Sequence, residues 1–148
     1  REQQMICDYF PWTRKISSGS VTFRNEKIDL PSFLRANKDT MVIKHSTGMG
    51  GQDVFMGFST PQNQWEQLIE RGLDEGDWLT QEYYEPLPLY YQHIDRRIEV
   101  FHAVWGFFVF GNRYIDGFLR IIPTSTEYDG VINCKQGATV SILMEVDE

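Results

Sequence analysis

The sequence has little cysteine, little histidine and no clustered positive charge. Its 148 residues hold two cysteines, Cys7 and Cys134, far apart and outside any C-x-x-C spacing. A disulfide framework is therefore not expected, and a reducing, cytoplasmic setting is the simpler reading. There are three histidines in all, and His93 and His102 lack a partner at metal-ligand spacing, so zinc is not expected. Lysine and arginine number 14 against 21 acids, for a net charge of −7, and no basic run exceeds Arg96-Arg97. A nucleic-acid binder needs a basic footprint to displace counterions from phosphates, so DNA and RNA are not expected as partners. The longest apolar stretch, around Val100–Phe110, is broken by His102 and Gly106 and is too short to span a bilayer. No membrane partner is expected. The chain opens at Arg1 rather than Met, from which we expect a piece of a longer protein.

What is present is a globular composition, 41% hydrophobic and 14% aromatic, in a chain long enough to bury a core. Ile6–Lys15, ending in Phe10-Pro11-Trp12-Thr13-Arg14, reads as an extended entry. Asp29 followed by Pro31 predicts a short capped helix. Met41-Val42-Ile43-Lys44 and Asp53-Val54-Phe55-Met56-Gly57 are strand-like runs around His45–Gln52, a glycine loop. The clearest helix follows, with Thr60 as N-cap and Pro61 at N1. Trp65, Leu68, Ile69 and Leu73 share one face of it, and Gly76 is its stop. Trp78–Tyr83 resumes strand character, and Pro86 and Pro88 punctuate a connector. Arg97–Phe110 and Arg113–Ile122 read as strands joined by a Gly111-Asn112 type II′ turn. Val131–Cys134 and Thr139–Val146 read as two more strands, the latter alternatively as a short helix. The order is that of an α+β fold.

Lys44 ends a strand whose neighbours Val42 and Ile43 are apolar, so its ammonium is costly unless used. Glycines let backbone N–H groups approach phosphate oxygens, because no Cβ intervenes. Taken alone, the pattern equally fits a lysine reaching solvent beside a glycine hairpin. Three phosphate-loop grammars fail. Gly50-Gly51-Gln52-Asp53 lacks the Gly-Lys-Ser/Thr of a Walker A loop. The loop opens a strand, whereas a dinucleotide fingerprint opens a helix. It also follows the lysine, whereas in kinases it precedes it.

The order that fits is strand-Lys, glycine loop, strand, helix, then a strand ending in a polar-acidic hinge. Val42–Val54 followed by Gln81-Glu82-Tyr83 resembles the nucleotide-binding part of an ATP-grasp protein. It is similar to the circularly permuted group that includes glutathionylspermidine-synthase-like proteins. Pro11-Trp12-Thr13-Arg14, Phe108–Asn112, Gly117-Phe118-Leu119-Arg120 and Asn133 with Gly137-Ala138 resemble that group's pattern too, so the likeness runs from about Phe10 to Ala138.

The resemblance implies two small lobes gripping ATP: residues 1–83, with the lysine and glycine loop, and residues 84–148, an antiparallel sheet. It implies that Lys44 contacts phosphates and that the loop with Gly48, Gly50 and Gly51 closes over them. Gln81, Glu82 and Tyr83 would form the adenine hinge, with backbone groups reading the base edge, and Glu85 would face the ribose. Arg120 would stabilise the transferring phosphoryl group, and Asn133 would hold Mg²⁺. Arg120 also fits a surface ion pair, Asn133 a turn cap and Glu85 a solvated connector. The pattern places an acid two residues before Asn133, where this chain has Val131. Glu127, Asp129, Glu99 and Asp116 are the acids available to replace it. The implied activity is ATP-dependent ligation of a carboxylate to an amine or thiol through an acyl phosphate, the remainder of the chain binding those substrates. A nucleotide-binding regulatory module without turnover, or a sheet-based interaction domain, are the other readings.

Overall fold

The computed structural model describes residues 2–143, and the chain divides into two compact units, Arg1–Tyr84 and Glu85–Glu148. Both are built on antiparallel sheets, with few helices, giving a mixed α+β architecture.

The first unit runs α1 (Glu2–Tyr9), β1 (Thr13–Lys15), β2 (Ser20–Phe23), β3 (Glu26–Asp29), α2 (Leu30–Ala36), β4 (Met41–His45), β5 (Val54–Met56), α3 (Gln62–Glu75) and β6 (Trp78–Glu82). Its main sheet has the order β1-β6-β4-β5 with every pairing antiparallel, and β2 and β3 form a separate hairpin. Register assigns the faces. Ile43 pairs with Thr80 and His45 with Trp78, so these residues share the side on which Ile43, Thr80 and Trp78 are fully buried. Their core partners are Leu30 and Leu34 of α2 and Trp65 and Ile69 of α3. Burying each such side chain stabilises the fold by roughly 1.5–3 kcal/mol. The Trp65 indole N–H donates to the Leu34 carbonyl at 2.9 Å, which ties α3 to the end of α2.

Local chemistry sets most boundaries. The Asp29 carboxylate accepts from the Ser32 amide at 3.1 Å and its hydroxyl at 2.6 Å, capping α2 as predicted, with Pro31 in the first turn. These hydrogen bonds also hold the Asp29 carboxyl below its ordinary pKa. Gly76 closes α3 in the left-handed conformation at φ +72°, where a side chain would be strained. Two expectations shift. Residues Ile6–Tyr9 are helical rather than extended, because nothing breaks α1 before Pro11 and Gln4 donates to Asp8 one turn on. Helix α3 starts one residue late, with Pro61 at its N-cap, because the Thr60 hydroxyl donates back to the Met56 carbonyl at 2.7 Å.

The second unit is a four-stranded antiparallel sheet, ordered β10-β9-β8-β7, from β7 (Pro88–Gln92), β8 (Ile98–Phe110), β9 (Arg113–Pro123) and β10 (Thr139–Ile142). Gly111, at φ +61°, makes the predicted two-residue turn between β8 and β9. A small core of Ile122, Ile132 and Ala138 gathers Val104 and Tyr128 on one face. Strand β7 forms where a connector is expected. Pro88 is its first residue, on an edge strand where a missing N–H is tolerated. Val131–Cys134 is not a strand. The Asp129 and Asn133 side chains accept from the Val131 and Lys135 amides, and these local turns compete with a ladder. Of the strand expected over Thr139–Val146, residues 144–146 lie outside the described residues, as do Arg1 and the Cys7 side chain. Among the described residues no helix is long and apolar enough to cross a membrane.

Candidate functional site

Lys44 lies on β4 facing away from the first unit's core. Pairing places it opposite Leu79, with Val42 opposite Gln81, so the four share the second sheet face. The Lys44 ammonium donates to the Gln81 side-chain oxygen. In the β1 register Thr13 pairs with Gln81 and Lys15 with Leu79, extending the same face. On this face Val42 is buried, Leu79 is half-buried and Lys44 stands beside them, while the Lys15 ammonium lies near Gly76 at the end of α3.

The glycine loop joins β4 to β5 beside this lysine. Its neck is closed by the His45 amide on the Asp53 carbonyl at 3.0 Å and the Ser46 amide on the Asp77 carbonyl at 2.8 Å. Inside the loop, Gly48 donates to His45 at 3.4 Å and Gln52 to Met49 at 3.3 Å. A Cβ at Gly48 would lie 2.9 Å from the Gln52 carbonyl, and Gly50 and Gly51 sit at φ +69° and +77°. These are glycine positions for steric reasons. Among the described residues, the amides of Met49, Gly50 and Gly51 have no protein partner. Successive free N–H groups at a loop tip, with a lysine at the loop's root, are the elements of an anion cradle.

The hinge is built differently from the expectation. The Glu82 amide donates to the Trp12 carbonyl and the Tyr83 amide to the Thr40 carbonyl, both at 2.9 Å. Those N–H groups are engaged within the protein. The Tyr83 ring packs on Phe58 at 5.0 Å. The Glu82 carboxylate turns to the core-side edge of the sheet, where it pairs with Arg24 and accepts from the Tyr84 hydroxyl at 3.3 Å. There, Phe10, Trp12, Arg14, Arg24, Glu82 and Tyr84 help line a cavity of about 620 Å³. This cavity does not include Lys44 or the glycine loop. Arg24 and its partners escaped the sequence reading. The available signal was Arg24-Asn25 between two alternating runs, a two-residue hairpin in which both residues adopt positive φ, 45° and 70°.

The remaining candidates belong to the second unit. Arg120 on β9 is flanked by Val104 and Val140 and lies over the Phe118 ring at 5.7 Å. Among the described residues its buried Nε has no hydrogen-bond partner, which is costly unless a ligand supplies one. Asn133 caps the short 3₁₀ turn Cys134–Gln136, its side-chain oxygen accepting from the Lys135 amide at 3.0 Å. Glu85 is exposed. Glu127 and Asp129 help line a cavity of about 280 Å³, and Asn133 is not part of its wall. Among the described residues no three His, Cys, Asp or Glu side chains form a metal-holding group. Asn133's side-chain oxygen, which accepts from Lys135, keeps its second lone pair for a further partner. Comparison with protein-family models, curated proteins and solved structures gave no match.

Proposed function

We propose that this chain is the ATP-binding portion of an ATP-grasp carboxylate–amine or carboxylate–thiol ligase, working with ATP and Mg²⁺. The observation that carries the reading is the pairing of Lys44 with a loop whose tip amides are free. Phosphate oxygens would take the place of Gln81 on the Lys44 ammonium and accept from Gly50 and Gly51. The base would lie against Leu79, held by apolar contact rather than by the Glu82 and Tyr83 amides. In the second unit taken by itself, Arg120 offers a guanidinium whose buried Nε has no hydrogen-bond partner among the described residues, which suits an anionic group. In this chemistry a carboxylate attacks the γ-phosphoryl group, ADP leaves, and an amine or thiol displaces phosphate from the acyl phosphate. The acid and amine would be bound by the rest of the chain.

A second reading, a nucleotide-binding regulatory module without turnover, is favoured by Asn133, which serves as a turn cap, and by Val131 at the expected acid position. Calorimetry with ATP, with and without Mg²⁺, tests both. Wild type is expected to bind ATP, and Lys44→Ala to weaken it at least about tenfold, the scale of one lost charge-assisted contact. Binding indifferent to Mg²⁺ would favour the regulatory module. Equal affinity of wild type and Lys44→Ala would overturn both readings.

A further inference from the structure

The cavity at the core-side edge of the first unit is lined by neither Lys44 nor the glycine loop, so it stands on grounds independent of the nucleotide reading. Arg14 pairs with Thr80 across β1 and β6, so it projects on the sheet face opposite that of Lys44. Its guanidinium lies over the Trp12 ring at 5.2 Å and donates once, to its neighbour Thr13's carbonyl at 2.8 Å. Among the described residues it has no carboxylate partner. Arg24 stands at the hairpin turn, 70% exposed, and pairs with Glu82, which is only 12% exposed. Two rim aromatics, Phe10 and Tyr84, are 68% and 62% exposed. The cavity's volume, about 620 Å³, is that of a small-molecule site.

We propose that this cavity binds a flat organic monoanion, with its carboxylate between Arg14 and Arg24 and its apolar body against Phe10 and Tyr84. Arginine's planar fork matches a carboxylate with two parallel hydrogen bonds, and Arg14 retains free donors for it. The charge of the wall selects a monoanion. Two guanidiniums less the Glu82 carboxylate leave one positive charge, so a dianionic phosphate would meet Glu82 unbalanced. An aromatic body covers Phe10 and Tyr84, which otherwise stay in water.

The test uses 1-naphthoate as probe and 1-naphthylmethanol as its uncharged counterpart. Each is titrated into the full chain by calorimetry while the Trp12 indole N–H, bonded to the Thr22 carbonyl, is followed by NMR. Naphthoate is expected to bind saturably and shift that signal, and the alcohol to bind at least about tenfold more weakly. Arg14→Gln should weaken naphthoate by about tenfold, the loss of one charge-assisted pair. Glu82→Gln should tighten it, because it releases Arg24 and removes the one acid among the described lining residues. This gain of affinity keeps the test decisive even if Arg14→Gln fails to fold. Saturating ATP should leave naphthoate binding unchanged. No saturable binding, equal affinity for the alcohol, no gain with Glu82→Gln, or displacement by ATP would each overturn the proposal.

Discussion

At the residue scale, single polar atoms decide how the first unit is closed. Trp78 is fully buried, and its indole N–H donates to a Glu75 carboxylate oxygen at 2.7 Å. Arg71 donates to the other Glu75 oxygen at 2.8 Å and lies over the Trp78 ring at 4.9 Å. The Trp78 hydrogen bond first, and then Arg71, hold the Glu75 carboxyl below the ordinary glutamate range. A carboxyl whose pKa falls on folding adds stability that is complete above its unfolded pKa. That stability is lost as the pH drops through the folded value. Glu75→Gln should therefore be less stable than wild type at neutral pH, and the gap should close in acid. Denaturant unfolding across that range measures it, and a gap independent of pH would refute the assignment. Gly57 is a residue of another kind. A Cβ there would fall 1.7 Å from the Lys38 carbonyl oxygen, while the Lys38 ammonium donates to Gly57's own carbonyl. Neither contact is visible in a sequence that offers only a glycine after a strand.

At the element scale, helix α3 is the member whose pattern and placement agree best. Its Trp65, Leu68 and Ile69 are buried and Leu73 packs against the same core, as the spacing predicts. Trp65 contributes both volume and a hydrogen bond, and two substitutions separate them. Trp65→Phe removes the bond to Leu34 with part of the volume and should destabilise by about 1–3 kcal/mol. Trp65→Ala also leaves a cavity and should cost about 3–5 kcal/mol. Equal losses for the two variants, by chemical denaturation, would show that packing around Trp65 matters less than the bond. Strands β8 and β9 were equally legible, because alternating β-branched and aromatic residues meet at a Gly-Asn turn. Strand β7 and helix α1 were not. A proline at a strand's first position and a helix stopped by proline look alike as punctuation until pairing partners are known.

At the scale of the whole molecule, the acidic net charge of −7 coexists with a strongly apolar hairpin end. Phe107, Val109 and Phe110 near the β8–β9 turn are 60%, 63% and 84% exposed. Clustered exposed apolar groups favour self-association. Phe110→Lys should lower light scattering at high protein concentration and change stability within about 0.5 kcal/mol, as for a surface substitution. Unchanged scattering would exclude the hairpin end as the sticky region.

The sequence by itself determined the α+β class, the main strands, the capped α2, the Gly76 stop and the place of Lys44 before a glycine loop. Each follows from local rules: periodicity, cap chemistry and the conformational freedom of glycine. Only the tertiary structure decided what these groups face. Sheet register put Lys44 with Gln81, Val42 and Leu79 on one side and turned Glu82 to Arg24 on the other. It also engaged the hinge amides with Trp12 and Thr40, and it left Asn133 as a turn cap. Apart from the Asn133 cap, which is local, these partnerships join residues tens of positions apart, and a side chain's neighbours across a sheet depend on register. No local pattern in the chain encodes that register.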